Sequence, residues 1–502
     1  MGRISHCIKI YLVSFLVLIV TDPAIGQTSE KDFLRQMNEA IPQWLDEFNV
    51  PGAALALIDD GKIILQKGYG FADLENQIHV NVKTGFNIGS ISKTIAAWGV
   101  MTLVEKGRLD LDAPINNYLT RWRLPLSDFD VNKVTLRRLL SHTAGLSLHG
   151  YPGFTPDDTL PTIEESLSGA TNGVGDVRLI MEPGTKCQYS GGGYTIAQLI
   201  VEEITKHSFA DYVEQAVLVP LGMRHSSYNI TQEIKAASAR EYDVFGDPVP
   251  FELFTAQAAA GLHTTIEDFA KFALANLSSK KERPGRTVLS EATVSLMMEA
   301  DKACNGTYGL GYAIQILPDN ITTLVGHGGA NTGWQAYFQV NPQSNDGFVM
   351  VTNGGAGWNV YNQAFCKWVT WKTGLDMGDL SKKSVVAALT KTLKEDGIDM
   401  AIRRYKSLKK DHPDQYIFNE WQLNSLGYIL LSKERMEDAI SIFRLNIEEY
   451  PDASNPYDSL GEAYMLAGSK KLAIENYRKS IELDPANDNA REMIRKMEMK
   501  NQ

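Results

Sequence analysis

The chain has 502 residues, 44% hydrophobic and 22% charged, with a formal net charge of −11 at pH 7. That length exceeds what one hydrophobic core organises, so more than one domain is expected. An acidic balance without clustered lysine and arginine excludes nucleic acid as the expected partner, because phosphate binding needs concentrated positive charge.

Residues 1–26 read as a cleaved secretory signal: Arg3 and Lys9 precede the apolar run IYLVSFLVLIV, and small residues follow to an Ala24-x-Gly26 site. The run is short for a bilayer span, so no membrane span is expected after cleavage. The protein is therefore expected to be exported, periplasmic or secreted. Cys187, Cys304 and Cys366 remain in the mature chain, an odd set that allows one disulfide without saying which two cysteines form it.

Next, FLRQMNEAIPQWLDEF carries Phe33, Met37, Ile41, Trp44, Leu45 and Phe48 at helical spacing. AALALI and KIILQKGYG flank Asp59-Asp60-Gly61 and predict an antiparallel hairpin, since glycine accepts the positive φ of a tight turn. A long middle section reads as helices and loops. From Gly311 strand patterns return in GYAIQIL, TTLVGHG, QAYFQV and GFVMVT, and Tyr361 to Thr373 reads as helix. Strands at both ends with helices between predict an α+β fold, in which one antiparallel sheet is flanked by helices and joined to a helical lobe. Ligand sites favour such a junction.

Beyond about Asp376 the composition shifts to Lys, Glu, Leu and Ala. Tyr457, Leu460, Gly461, Tyr464, Ala473, Tyr477 and Pro485 stand at tetratricopeptide offsets, and Leu423, Leu426, Gly427, Leu430, Ala439, Phe443 and Pro451 repeat them 34 residues earlier. Ala401, Tyr405, Leu408 and Pro413 hint at a more divergent unit, and NAREMIRKMEMK at a cap. The expected organisation is a signal over 1–26, a first domain over 27–375, a linker with a divergent helical repeat over 376–418, and all-α repeats with a capping helix over 419–502. Stacked helix pairs leave a concave surface suited to a protein partner, or they brace the first domain.

Three short motifs carry chemistry. GSISKT, Gly89 to Thr94, opens a helix, and positions i and i+3 share a face, so Ser90 and Lys93 converge. Alone that pattern is weak, and a helix start with a solvated lysine would explain it. CQYSGGGYTIAQLI sets Tyr189 and Ser190 in a glycine-rich loop ahead of a helix, and LVGHGGANTGW sets His327-Gly328-Gly329 at the end of a β run. Glycines 191–193 and 328–329 let backbone approach a ligand closely. His-Glu-x-x-His, Cys-x-x-Cys and phosphate-loop patterns are missing, so no metal or cofactor is expected. Without a Gly-x-Ser-x-Gly elbow the α/β-hydrolase class is set aside.

From Glu30 to Gly374 the chain resembles the penicillin-recognising serine hydrolases: class C β-lactamases, D-amino-acid carboxypeptidases and aminopeptidases, and esterases of β-lactamase fold. SISK, YSG and HGG occur in family order, with the family-like flanks LLSHTAGLS, VLVPLGM, AAAGLHTT and YGLGY. The resemblance implies an acyl-enzyme on Ser90, with Lys93 taking its proton and Tyr189 passing one to the leaving group as a coupled unit. It implies oxyanion contacts from the amides of Ser90 and Ala330, and substrate contacts at Ser190, Gly191, Gly328 and Gly329. His327 joins the catalytic set at a position where many β-lactamases have lysine, as in the peptidase and esterase branches. Gly191 stands where relatives with Tyr-x-Asn have asparagine. The implied substrates carry amide, D-amino-acid peptide, ester or β-lactam bonds, with small peptides and esters ahead of β-lactams. The alternative is a low-turnover ligand sensor whose repeats recruit a partner protein. Four nearby residues rank lower: Ser92 faces elsewhere on the helix, Ser141-His142 is expected to fix a loop, Cys187 to be a packed thiol, and Glu420 in EWQLN is a chance match.

Overall fold

Helix α1 (Glu30–Glu47) is capped by the Ser29 hydroxyl, which accepts the Asp32 amide, and buries Phe33, Met37, Ile41 and Leu45 on one face. The computed structural model describes residues 28–277 and 288–499; the signal expected over residues 1–26 lies outside them. No described helix is long and apolar enough to cross a membrane. Strand β1 (Gly52–Asp59) turns into β2 (Lys62–Asp73) with Asp59 opposite Lys62. Asp60 and Gly61 both take positive φ, 42° and 69°, the two-residue turn whose twist suits a hairpin.

The short strands β3 (Ile78–His79) and β4 (Gly85–Asn87) lead to helix α2 (Ser92–Glu105), and the helical lobe follows, built around α3 (Gly191–Thr205). The chain returns through β5 (His263–Thr265), paired with β4, and α4 (Ile266–Ala275). It then runs through β6 (Ala313–Ile316), β7 (Thr323–Asn331), β8 (Trp334–Asn341) and β9 (Asp346–Thr352) into α5 (Gly357–Thr373). Among the described residues, seven strands form one sheet in the order β3-β2-β1-β9-β8-β7-β6. The pairing of β1 with β9, Ala53 opposite Thr352 through Ile58 opposite Gly347, joins the two ends of the domain in one antiparallel sheet.

Strand β1 is buried on both sides, so it reads as a continuous apolar run rather than an alternating one. Ala54, Ala56 and Ile58 face the core shared with α2, α3 and α4. Ala53, Leu55 and Leu57 face α1 and α5. On the first side α4 lays Phe269 and Phe272 against Phe338 of β8, ring centroids 5.5 and 5.8 Å apart. These two layers hold the sheet rigid where β7 meets the start of α2.

The segment expected as a linker with a divergent helical repeat holds a helix pair. Lys383–Ser384 pairs in parallel with Tyr416–Ile417. Between them α6 (Val385–Glu395) and α7 (Ile398–Asp411) form a helix pair whose Ala401, Tyr405 and Leu408 enter the core of the repeats. Five helices follow: α8 (Glu420–Ser432), α9 (Met436–Glu449), α10 (Ser454–Leu466), α11 (Lys470–Leu483) and α12 (Asp488–Met499). The periodic glycines have a steric cause. A Cβ on Gly427 would stand 2.2 Å from the Phe443 ring and one on Gly461 3.0 Å from Tyr477, so each bare helix position admits the aromatic of its partner helix. Glu420 opens α8, in the repeat region.

The repeats dock on the first domain. Phe245, 3% exposed, inserts from the helical lobe into their core. Arg435 lies over its ring, and Lys433 and Lys394 pair with Asp243 and Asp247 on either side. Lys383 and Lys391 reach Glu47 and Asp46 at the end of α1, each at 2.8 Å. Exposed pairs add little individually; the buried ring supplies most of the contact's free energy.

Candidate active site

Gly89 takes φ +51° and donates its N–H to Asn87 Oδ1 at 2.7 Å, opening one turn of 3-10 helix that carries Ser90 into α2. Lys93, 2% exposed, places Nζ 3.1 Å from Ser90 Oγ and donates to the Ala259 carbonyl at 2.7 Å. No carboxylate pairs with it among the described residues. Its Nζ lies 5.0 Å from the centre of the Tyr189 ring and 5.8 Å from that of Tyr194. The motif spacing thus brings the hydroxyl, the amine and the phenol ring together.

Strand β7 lies directly on the turn. A Cβ on Gly329 would stand 1.9 Å from the Ile88 carbonyl oxygen, and one on Gly89 2.5 Å from the Ala330 amide nitrogen. Only glycine permits that approach. As a residue of a first helical turn, Ser90 has an amide without an intrahelical acceptor, and Ala330 lines the same cleft. Asn331 locks the arrangement by donating to Asn87 Oδ1 at 2.8 Å and to the Ala260 carbonyl at 3.1 Å.

His327 projects from β7 beside Lys93. Burial, and then the nearby lysine, push its value down to about 4, which keeps the ring neutral at pH 7. Its Nε2 is 2.8 Å from the Tyr308 hydroxyl, and its Nδ1 faces the Gly328 carbonyl. His142 does more than fix a loop. Its Nδ1 accepts the Ser190 amide at 3.1 Å, so the proton sits on a buried Nε2 without a partner among the described residues. Its ring underlies Tyr189 with centroids 4.0 Å apart.

Two expected substrate contacts lie elsewhere. Ser190 caps α3, accepting the Gly193 amide and donating to the Ser147 carbonyl at 2.6 Å. Its hydroxyl is spent on the loop below, and Ser190 does not line the cleft. Gly191 also misses the cleft. It donates to the His149 carbonyl at 3.0 Å, and a Cβ there would meet that oxygen at 3.1 Å and the Tyr151 ring at 3.4 Å. The segment His149–Gly150–Tyr151 therefore forms a wall of the cleft, which Gly328 and Gly329 also line. Cys187 is not a free thiol: it is bonded to Cys304 and ties the irregular segment before Tyr189 to the turn before Tyr308. Ser92 accepts the Leu262 amide, away from Ser90's partners.

The resulting cleft has a volume of about 440 Å³. Tyr151, Tyr189, His149 and Tyr361 give it aromatic walls, Asn331 and Gln335 are neutral, and among the described lining residues Lys93 is the only lysine, with no arginine or carboxylate beside it. No described group of histidine, cysteine and carboxylate side chains could hold a metal ion. Asn87, Asn331, His149, Tyr151, Ala259 and Tyr308 escaped sequence reasoning, and His142 was read only as fixing a loop. The flanks LLSHTAGLS, AAAGLHTT and YGLGY contain three of them, His142, Ala259 and Tyr308, and were the available signal.

The beta-lactamase family model matches residues 37–400, and a tetratricopeptide-repeat model matches residues 455–487. Penicillin-binding protein 4 of Amycolatopsis lactamdurans is 29% identical over 341 residues, covering 64% of this chain and 85% of that protein. Protein flp of Staphylococcus aureus (strain N315) is 26% identical over 333 residues, and the chain spans 63% of that relative's length. The structure of D-amino acid amidase from Ochrobactrum anthropi SV3 aligns with a TM-score of 0.52 at 25% identity, covering 64% of this chain and 91% of that one. A match that runs through well over half of the chain places the protein in the beta-lactamase family, with a tetratricopeptide repeat near its C-terminal end.

Proposed function

We propose that the protein is an exported serine hydrolase that forms an acyl-enzyme on Ser90. The observation that carries the reading is the 3.1 Å separation of Lys93 Nζ and Ser90 Oγ inside a cleft, within reach for transfer of the hydroxyl proton to the amine. As Oγ attacks the carbonyl carbon, negative charge grows on the carbonyl oxygen between the Ser90 and Ala330 amides, and fixed backbone donors there need no reorganisation. Tyr189, packed against Lys93, passes a proton to the leaving group. Water then attacks the acyl-enzyme, and the same groups run in reverse.

The lining supports neutral acyl donors. A substrate carboxylate would meet no arginine and no lysine other than Lys93 among the described cleft residues, and His327 is neutral at pH 7. Esters and amides with uncharged leaving groups, and apolar or aromatic acyl side chains against Tyr151 and Tyr361, fit better than C-terminal carboxylates. The likeness to the D-amino acid amidase adds D-aminoacyl amides and esters to the substrates to be tested, although their α-amine has no carboxylate partner among the described cleft residues. The repeats, with Trp421 63% exposed, are proposed to hold a protein partner. The test is a panel of p-nitrophenyl esters, D-aminoacyl amides, D-Ala-D-Ala peptides and a chromogenic cephalosporin with wild type and Ser90→Ala. Ester and amide turnover abolished by Ser90→Ala is expected; turnover that persists in the variant sinks the assignment.

A further inference from the structure

His327 makes two contacts whose proton inventory can be solved. Its Nδ1 faces the Gly328 carbonyl, and a carbonyl oxygen only accepts, so Nδ1 carries a proton. The ring is neutral at pH 7, because burial and the nearby Lys93 both oppose a charge there. Nε2 is therefore a bare lone pair 2.8 Å from a hydroxyl that can donate to it, in competition with the Tyr194 oxygen, whose own proton goes to the Leu140 carbonyl. The hydroxyl facing Nε2 belongs to Tyr308, a buried residue in YGLGY.

We infer that Tyr308 is a positioning residue: its hydroxyl donates to His327 Nε2, holds the ring as the Nδ1–H tautomer, and closes the nitrogen that would otherwise act as a base in the cleft. Tyr308 is itself immobilised. Its carbonyl accepts the Asp301 amide at 2.8 Å, and the Asp301 carboxylate accepts the Ser141 hydroxyl at 3.0 Å. Cys304, in the turn between Asp301 and Tyr308, is bonded to Cys187. The groups facing His327 are Lys93 from α2, Tyr189 and His142 from the helical lobe, and Tyr308 from the turn. With Nε2 capped, protons in the cleft travel among Ser90, Lys93 and Tyr189, and His327 stands as a neutral wall. A charged His327 would lose the Nε2 lone pair that accepts the Tyr308 proton and would oppose the gain of a proton by Lys93 from Ser90. The consequence for turnover rests on the proposed hydrolase reading; the tautomer does not.

Ring-¹⁵N-labelled full-length protein tests this, with the His327 signals assigned by their loss in His327→Gln. In wild type the Nδ1 signal is expected to be protonated and the Nε2 signal unprotonated, with titration only near pH 4. Tyr308→Phe removes one oxygen and the donor that favours the neutral ring. The titration is therefore expected to rise toward the ordinary histidine range, by about one unit, with both tautomers visible. The acid limb of fluorophosphonate labelling should rise with it: a one-unit rise from about 4 roughly halves the neutral fraction at pH 5, so relative to wild type, labelling falls about twofold further at pH 5 than at pH 8, where the loss is about threefold or less. A wild-type spectrum with protonated Nε2 overturns the inference even if the variant fails to fold, as does a variant with unchanged tautomer and titration. If wild type shows the stated tautomer but is never labelled, the positioning stands and the hydrolase reading fails.

Discussion

Replacing Gly329 with alanine is the sharpest perturbation of the oxyanion region. The added Cβ would stand 1.9 Å from the Ile88 carbonyl oxygen, so β7 and the nucleophile turn must part by about 1.5 Å to reach ordinary contact. A misplacement of about 1 Å costs on the order of 100-fold in rate, comparable to losing one oxyanion donor. Gly326→Ala is the control, because its Cβ meets the Phe338 carbonyl at the same 1.9 Å, but between β7 and β8, away from Ser90. Both variants should lose about 2–3 kcal/mol of stability by overpacking, read from thermal unfolding. The second-order rate of fluorophosphonate labelling, corrected for folded fraction, should fall about 100-fold in Gly329→Ala and less than about tenfold in Gly326→Ala. Equal labelling rates in the two variants would refute the placement of the Ser90 and Ala330 amides as a working pair.

Three other outcomes follow from buried groups. The Cys187–Cys304 bond closes a loop of sequence separation 117, so Cys187→Ser with Cys304→Ser should cost about 3–4 kcal/mol in denaturant unfolding, and a loss near zero contradicts the bond. Glu241, 3% exposed with an unpartnered Oε1, is raised by burial to about 7. A raised folded value makes stability full below about pH 4.5 and lost as pH rises through 7, so Glu241→Gln should gain about 2–3 kcal/mol at pH 8 and almost nothing at pH 4. His327, pushed down to about 4 by burial and then Lys93, acts in the opposite sense. Its contribution is complete above about pH 6.5 and lost as pH falls toward 4, about 2–3 kcal/mol by pH 4.5. His327→Gln should flatten the acid slope measured by urea unfolding, and an unchanged slope would place the histidine in solvent.

What could be read from the chain was what local chemistry decides. Asp60-Gly61 specifies its hairpin through two positive φ angles, and the spacing of Ser90 and Lys93 brings them together through one helical turn. The repeat glycines were legible because Gly427 and Gly461 answer to aromatics on the next helix. Ser190 was misplaced because a Tyr-Ser-Gly motif does not say whether its hydroxyl turns to the cleft or caps the helix; Ser147, far away in sequence, decides it. The wall at His149–Tyr151 and the Tyr308–His327 bond join distant segments, so no local pattern announces them. Three cysteines left the disulfide open until the fold brought Cys187 and Cys304 to a Cα separation of 4.6 Å. In residues 376–418 the divergent repeat was legible only from Ala401, Tyr405 and Leu408 of α7, because α6 and α7 bury their apolar face against the repeats that follow.

The measurement closest to the central claim is peptide mapping by mass spectrometry after treatment of the full-length protein with a fluorophosphonate. The account expects one covalent adduct, on the peptide containing GSISKT and located at Ser90, absent in Ser90→Ala and at least about 100-fold slower to form in Lys93→Met. An adduct on any other serine, or labelling of Ser90 that proceeds unchanged without the lysine amine, would contradict it.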